Sequence, residues 1–368
     1  MSFIHRLICS LLLLAALPSA PLDAERQPPP PSPRPKRVWA HDSLWTRAWT
    51  TGADSHNDRF VEPRQLSITG NLLMVLDMGT REVTGLDVTS GRERFVMKAR
   101  GRGPGEFQRP ALLTSTPTGF AILDHATARL TAFRENGAVQ WDAVVPAVFS
   151  VDGVCIIDEK QFFLKYPRGD SSFVQFDTSG RRLATQHIPW QQPFNEPPGF
   201  AFSASTRAAA TRNTCVISPR FGGEWATIDT KRGARTFPLV SAGPPPKMQY
   251  SEKVLDRSLK TVTIEGLQQS DTPHATRGLI VRGDTAIVNA GNAKESEGRV
   301  LDYYLLETGR YIHSRMLPTS FAALAISEDG TFFGAVIGPH AQGIIALRPA
   351  NTPAPRPRPA PAPPPKRR

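Results

Sequence analysis

Several short apolar runs of this chain end in a polar residue that could do chemistry: Asp77, Asp124, Lys165, Ser218 and Asn289. If a fold gathered these ends, the first chemistry to test is calcium binding, which takes 6–8 oxygen ligands. The set offers only the carboxylates of Asp77 and Asp124 beside the competing cation of Lys165, so a calcium site is disfavoured. The histidines His41, His56, His125, His187, His274, His313 and His340 include no pair at ligand spacing within one strand or helix. Zinc would need His125, His274 and His340 to meet from separate loops. No serine stands in a nucleophile-elbow context. Asp77 and Asp124 read better as turn acceptors, or as partners of Arg81 and Arg129, than as catalytic acids. No cofactor and no catalytic set is expected.

Two further groups have a chemical and a structural reading. Cys155 and Cys215 remain as an even pair once the first residues are removed. In an oxidising compartment they either bridge or serve as two small buried apolar residues, and sequence does not fix the Cα separation a bridge needs. The glycines of the segment Arg100-Gly101-Arg102-Gly103-Pro104-Gly105-Glu106-Phe107 permit conformations closed to other residues. Such backbone could cradle a phosphate. Pro104 removes a donor and no strand-to-helix context follows, so a structural connection is favoured, with Phe107 plugging a seam.

The elements that would position these residues are short strands joined by a recurring glycine turn. Asp87 to Gly91, Arg134 to Gly137, Asp177 to Gly180, Asp229 to Gly233 and Glu307 to Gly309 repeat it, with glycines 46, 43, 53 and 76 residues apart. That is the period of a β-propeller blade. Six equivalent strands begin near Leu72, Phe120, Phe162, Thr214, Thr285 and Thr331. They predict an all-β, six-bladed β-propeller of four-stranded antiparallel blades. The sixth blade runs into Pro349 without an outer strand, so the segment Leu44 to Thr50 is expected to fill the gap and close the ring. Ser241 to Thr276 departs from the repeat as an insertion, where Tyr250 to Leu267 suggests a short helix with Val254, Leu255 and Leu259 on one side. The irregular segment Pro189 to Ala209 carries Trp190 and Phe194. Trp190, Phe194, Tyr250 and His274 are the candidate binding-loop residues, and Asp77, Asp124, His125 and Asn289 the candidate channel-face residues.

Both ends differ in composition from this body. His5 and Arg6 precede an apolar run from Leu7 to Leu17 and then small residues, the pattern of a secretory signal cleaved near Ala20 or Ala24. The run is too short to span a bilayer. Residues 1–24 are therefore read as a signal, 25–37 as a proline-rich linker, 38–349 as the propeller with its insertion at 241–276, and 350–368 as a basic proline-rich disordered tail. Of the formal net charge of +11, residues 25–37 contribute +3, residues 350–368 contribute +5, and the body +3. A specific nucleic-acid partner is not expected. The C-terminal tail suits weak contact with an anionic surface.

Leu76-Asp77-Met78-Gly79-Thr80-Arg81 followed by Val83 and Leu86, with its counterpart Leu123-Asp124-His125-Ala126-Thr127-Ala128-Arg129, resembles the NHL repeat. The linking segment Gly103-Pro104-Gly105-Glu106-Phe107 is similar to the connection between NHL blades, especially in exported bacterial six-bladed propellers. The resemblance covers the first two blades well and later ones loosely. It implies a platform that binds proteins, nucleic acids or small ligands, while a minority of related propellers are metal-dependent hydrolases or lyases. The sequence thus predicts an exported, periplasmic or extracellular, non-catalytic module, monomeric outside a complex, that binds a protein or envelope polymer through loops on one face. The alternative is a metal-dependent hydrolase or lyase with its site at the channel mouth.

Overall fold

The computed structural model describes residues 35–40, 44–52, 59–146, 151, 153–165, 172–188, 190, 206–210, 214–241, 248–256, 261–269, 274–291, 298–337 and 342–350. The signal segment, most of the proline-rich linker, and the tail beyond residue 350 lie outside the described residues.

The described strands form six four-stranded antiparallel sheets and one separate hairpin. Blade 1 holds β2(Pro63–Thr69), β3(Leu72–Asp77), β4(Glu82–Asp87) and β5(Glu93–Lys98). Blade 2 holds β6(Pro110–Thr116), β7(Gly119–Asp124), β8(Arg129–Arg134) and β9(Val139–Val144), and blade 3 holds β10(Gly153–Ile156), β11(Gln161–Lys165), β12(Ser172–Asp177) and β13(Arg182–His187). Blade 4 holds β14(Thr206–Ala210), β15(Thr214–Pro219), β16(Glu224–Asp229) and β17(Gly233–Pro238). The hairpin β18(Met248–Asp256) and β19(Thr261–Gln269) precedes blade 5, which holds β20(Thr276–Arg282), β21(Thr285–Ala290), β22(Val300–Leu305) and β23(Tyr311–Met316). Blade 6 holds β24(Ala323–Ile326), β25(Phe332–Ile337), β26(Gln342–Pro349) and, as its outer strand, β1(Trp45–Thr51). The molecule is thus a six-bladed β-propeller, and no helix occurs among the described residues.

Local chemistry explains the repeat. Gly91, Gly137, Gly180, Gly233 and Gly309 all have φ between 67° and 85°, the left-handed region that favours glycine. An acidic residue opens several of these turns: Asp87 accepts the N–H groups of Thr89 and Ser90 at 3.1 and 2.9 Å, and Asp229 those of Lys231 and Arg232 at 2.8 and 3.0 Å. Each seam between neighbouring blades holds one apolar cluster, for example Met74, Leu76 and Phe107 with Phe120 and Ile122 between blades 1 and 2. Phe107 therefore plugs a seam as expected.

Ring closure is tied on both sides. β1 pairs antiparallel with β26, from Trp45 opposite Pro349 to Thr51 opposite Ile344. The Trp45 indole donates to the Met316 carbonyl of blade 5 at 2.6 Å, while the Trp49 indole donates to the Val88 carbonyl of blade 1 at 2.9 Å. Residues before β1 also contribute. Ala40 donates to the Ser314 carbonyl at 2.9 Å and Ser314 to that of Val38 at 2.7 Å, so this segment runs beside β23. Arg37 pairs at 3.0 Å with Asp302, whose side chain is 1% exposed. Arg37 is thus a structural anchor rather than part of a solvated basic linker.

Two local expectations are corrected. The described parts of Tyr250 to Leu267 are strand rather than helix, because β18 and β19 pair antiparallel. The alternation Thr261-Val262-Thr263-Ile264 is a strand pattern, and the apolar spacing around Val254 imitated a helical stripe. The segment Pro189 to Ala209 is not irregular to its end, since Thr206–Ala210 forms the inner strand of blade 4 against β15. An alanine-rich stretch has little strand propensity, and pairing decides its state.

Candidate functional site

The six inner strands β2, β6, β10, β14, β20 and β24 surround the axis, each next to its neighbours. We call the end at which they begin the entry face. Connections from an outer strand to the next inner strand, and from second to third strands, emerge there. The other two kinds of turn emerge on the opposite face. The described lengths differ sharply between the faces. The opposite face is closed by turns such as 70–71, 117–118, 283–284, 135–138 and 230–232, whereas the entry face carries the intervals 99–109, 188–205, 239–275 and 291–299.

A cavity of about 280 Å³ opens at the entry end of the channel. Its walls are backbone and side chains from the beginnings of five inner strands, including Gln65, Leu66, Leu112, Leu113, Val154, Leu279 and Leu324, together with Arg64 and Arg277. A second cavity of about 130 Å³ follows farther along four of these strands, lined by Ser67, Thr114, Ser115 and apolar neighbours. Gln65 crosses a seam: its amide donates to the Ala111 carbonyl at 2.8 Å and accepts from the Leu113 N–H at 2.6 Å.

The two aspartates are engaged in backbone recognition. Asp77, 1% exposed, accepts the N–H groups of Val61, Glu62, Gly79 and Thr80 at 2.7–3.1 Å. Asp124, 2% exposed, accepts those of Gln108, Arg109 and Thr127 at 2.6–2.7 Å. Each carboxylate staples the segment entering its blade to the turn between the second and third strands, so both are the turn acceptors expected from sequence. The alternative ion pairing does not occur for Arg129, whose guanidinium pairs with Asp142.

The polar strand ends do not form one set. Asp77 and Asp124 pair with the first residues of the third strands, Glu82 and Arg129, but Asn289 pairs with Leu301, one position later. A one-residue difference turns a side chain to the other face of a sheet. Asp77 and Asp124 therefore face the preceding blade, whereas Asn289 lies on the side of Ile287, which packs toward blade 6. Lys165 and Ser218 share the register of Asn289, and Ser218 makes a 2.7 Å hydroxyl hydrogen bond with Thr276 of blade 5.

His125 opens the second-to-third turn of blade 2, and its backbone N–H donates to the Arg109 carbonyl at 3.0 Å. Burial, with the nearby Arg109 charge, holds its imidazole below the ordinary value. His274 precedes blade 5 and packs edge-on against Phe221 at 5.1 Å. Blades 2 and 5 stand on opposite sides of the ring, so these two do not converge, and His340 lies outside the described residues. Among the described residues no cluster of three His, Cys, Asp or Glu side chains is placed to hold a metal. Trp190 packs on the seam between blades 3 and 4, Tyr250 lies in β18, and Phe194 lies outside the described residues. Cys155 of β10 and Cys215 of β15 are joined by a disulfide across that same seam.

Sequence reasoning missed Arg64 and Arg277. Their signal is faint: an arginine second in an inner strand, after Pro63 or Thr276.

No protein-family model and no curated protein matches the chain. Solved structures with a similar trace include U3-55K, at 10% identity and TM-score 0.49 over 84% of this chain and 99% of that one. Virginiamycin B lyase from Staphylococcus aureus gives 9% and 0.48 over 83% and 99%, and BamB from Moraxella catarrhalis gives 11% and 0.40 over 84% and 98%. Likeness at this level carries no argument about activity, and the function must be read from this chain's own site.

Proposed function

We propose that this chain is an exported, non-catalytic β-propeller module that engages a protein or cell-envelope polymer through the loops of its entry face. The observation that carries this reading is the asymmetry of the connections: tight turns close one face, while long segments and an added hairpin emerge on the other. Long loops on a rigid scaffold are where recognition is usually built. Asp77 and Asp124 are committed to backbone N–H groups, which leaves them poor candidates for proton transfer or metal binding. The signal-like residues 1–24 and the disulfide support export. The NHL-like pattern of blades 1 and 2 supports a binding role.

The test is capture from cell-envelope extract with the intact chain and with a variant in which residues 248–269 are replaced by a short Gly-Ser linker. Loss of the captured partner with an unchanged melting temperature supports the reading. Equal capture by both removes the hairpin from it. Stoichiometric zinc or calcium in the purified chain, with hydrolytic turnover, would replace it by the enzymatic alternative.

A further inference from the structure

We propose that the mouth of the central channel binds the acidic group, carboxylate or phosphate, of a ligand about the size of a monosaccharide at that point. This rests on the reading of the entry face as the binding face and names the chemistry at its centre.

Three observations converge. First, the two charged residues described in the cavity wall are both arginines, Arg64 from blade 1 and Arg277 from blade 5, the latter with its side chain laid against Gly291 and Gly298 of its own blade, and no acidic residue is among the described lining. Second, both arginines are the extra residues of β-bulges. The register of β2 against β3 skips from Pro63 to Gln65, and that of β20 against β21 from Thr276 to Gly278. Such bulges commonly re-aim a side chain beside a site. Third, Asn289 lies directly opposite Gly278 of the cavity wall, whose missing side chain leaves only 3.4 Å to the Asn289 Cβ from where a Cβ would stand. Asn289 is 2% exposed, and neither its amide oxygen nor its nitrogen has a hydrogen-bond partner among the described residues. A buried amide without partners is costly, and a ligand oxygen reaching past Gly278, directly or through one water, would satisfy it.

The Arg64 guanidinium already shows what it recognises. Its Nε and Nη2 donate to one Glu62 carboxylate oxygen at 2.9 and 2.6 Å. Both side chains of that pair are exposed, at 52% and 39%, so the internal carboxylate is weakly held and readily exchanged for an incoming one. The fork geometry of arginine suits carboxylate and phosphate alike. A volume of about 280 Å³ limits what enters to a small acidic unit.

Isothermal titration of the full chain with galacturonate and with glucose 6-phosphate, against galactose and glucose, tests this directly. At least one acid should bind with a Kd of about 1 mM or tighter. Binding should weaken several-fold between about 0.02 M and 0.3 M salt, and the neutral sugars should give no heat. Arg64→Gln and Arg277→Gln should each raise Kd about tenfold, with Asn289→Ala about threefold. Arg64→Gln sits at an exposed position and keeps the test valid if Arg277→Gln fails to fold. Response to galacturonate alone identifies a carboxylate, and to glucose 6-phosphate alone a phosphate. Absence of binding by both acids, equal binding of neutral sugars, or wild-type affinity in Arg64→Gln overturns the inference. Failed titration with envelope capture intact overturns only this inference. Acid binding with no captured partner overturns only the partner reading.

Discussion

The bridge between blades 3 and 4 gives the most quantitative expectation. Cys155 and Cys215 are separated by 60 residues, and both are fully buried in the seam they join. In the chain-entropy picture, closing a loop of that length removes about 4 kcal/mol of freedom from the unfolded chain. The native seam keeps Phe163, Phe173, Ile217 and Ile228 in place whether or not the bond exists, so the effect resides mainly in the unfolded state. With an unfolding entropy of about 2.1 cal/mol/K per residue over a body of about 310 residues, reduction should lower the melting temperature by about 6 °C. The assay is scanning calorimetry of the oxidised chain, with and without reductant, beside the double variant Cys155→Ala, Cys215→Ala. The variant should melt near the reduced chain, lower by about 1–2 kcal/mol more for its lost packing, and should ignore reductant. Two thiols from Cys155 and Cys215 titrating in the unreduced, denatured chain, or a melting temperature indifferent to reductant, would show that the bridge does not stabilise the ring.

Other perturbations follow from the same geometry. Asp77→Ala strands four backbone N–H groups and should cost about 2–4 kcal/mol in urea unfolding, with Asp77→Asn costing less. Arg37→Ala leaves the buried Asp302 carboxylate, among the described residues, with the hydroxyls of Ser314 and Ser241 alone, and should cost about 3 kcal/mol by the same assay. Acid should unfold the ring through its turns. Hydrogen bonds from Ser179 and Arg181 hold Asp177 down to about 2, and at Asp87 those from Arg94 and Ser90 outweigh the opposing effect of burial. Because the folded carboxylates are the stronger acids, their contribution is complete above about pH 4 and lost as pH falls toward 2, which a pH series of melting temperatures checks. His125 has the same sign at higher pH. Its imidazole is held below 6.5 in the fold, so stability should decline as pH falls through that value, and less so in His125→Gln.

What could be read from the sequence was local. Each glycine turn reports a positive φ where it occurs, and the strands around it alternate or run apolar, so the blades followed from chemistry within a few residues, and the closure by Trp45 and Trp49 from the outer strand that the sixth blade lacks. What could not be read was set by pairing across the chain. The inner strand Thr206–Ala210 has no propensity to reveal it, and the face of Asn289 depends on a register that only β22 fixes. Arg37 meets Asp302 across nearly the whole chain. Arg64 and Arg277 stand in the cavity wall at bulges, whose trace in the sequence is no more than an arginine second in the strand.

Recognition is assigned to the face where the inner strands begin. Hydrogen exchange of the intact chain, free and with its captured envelope partner, tests this most directly. Protection should fall on 59–62, 99–109, 220–223 and 274–278, with the turns 88–92, 135–138, 178–181, 230–232 and 306–310 unchanged. Protection of those turns, with the entry face exchanging freely, would contradict it.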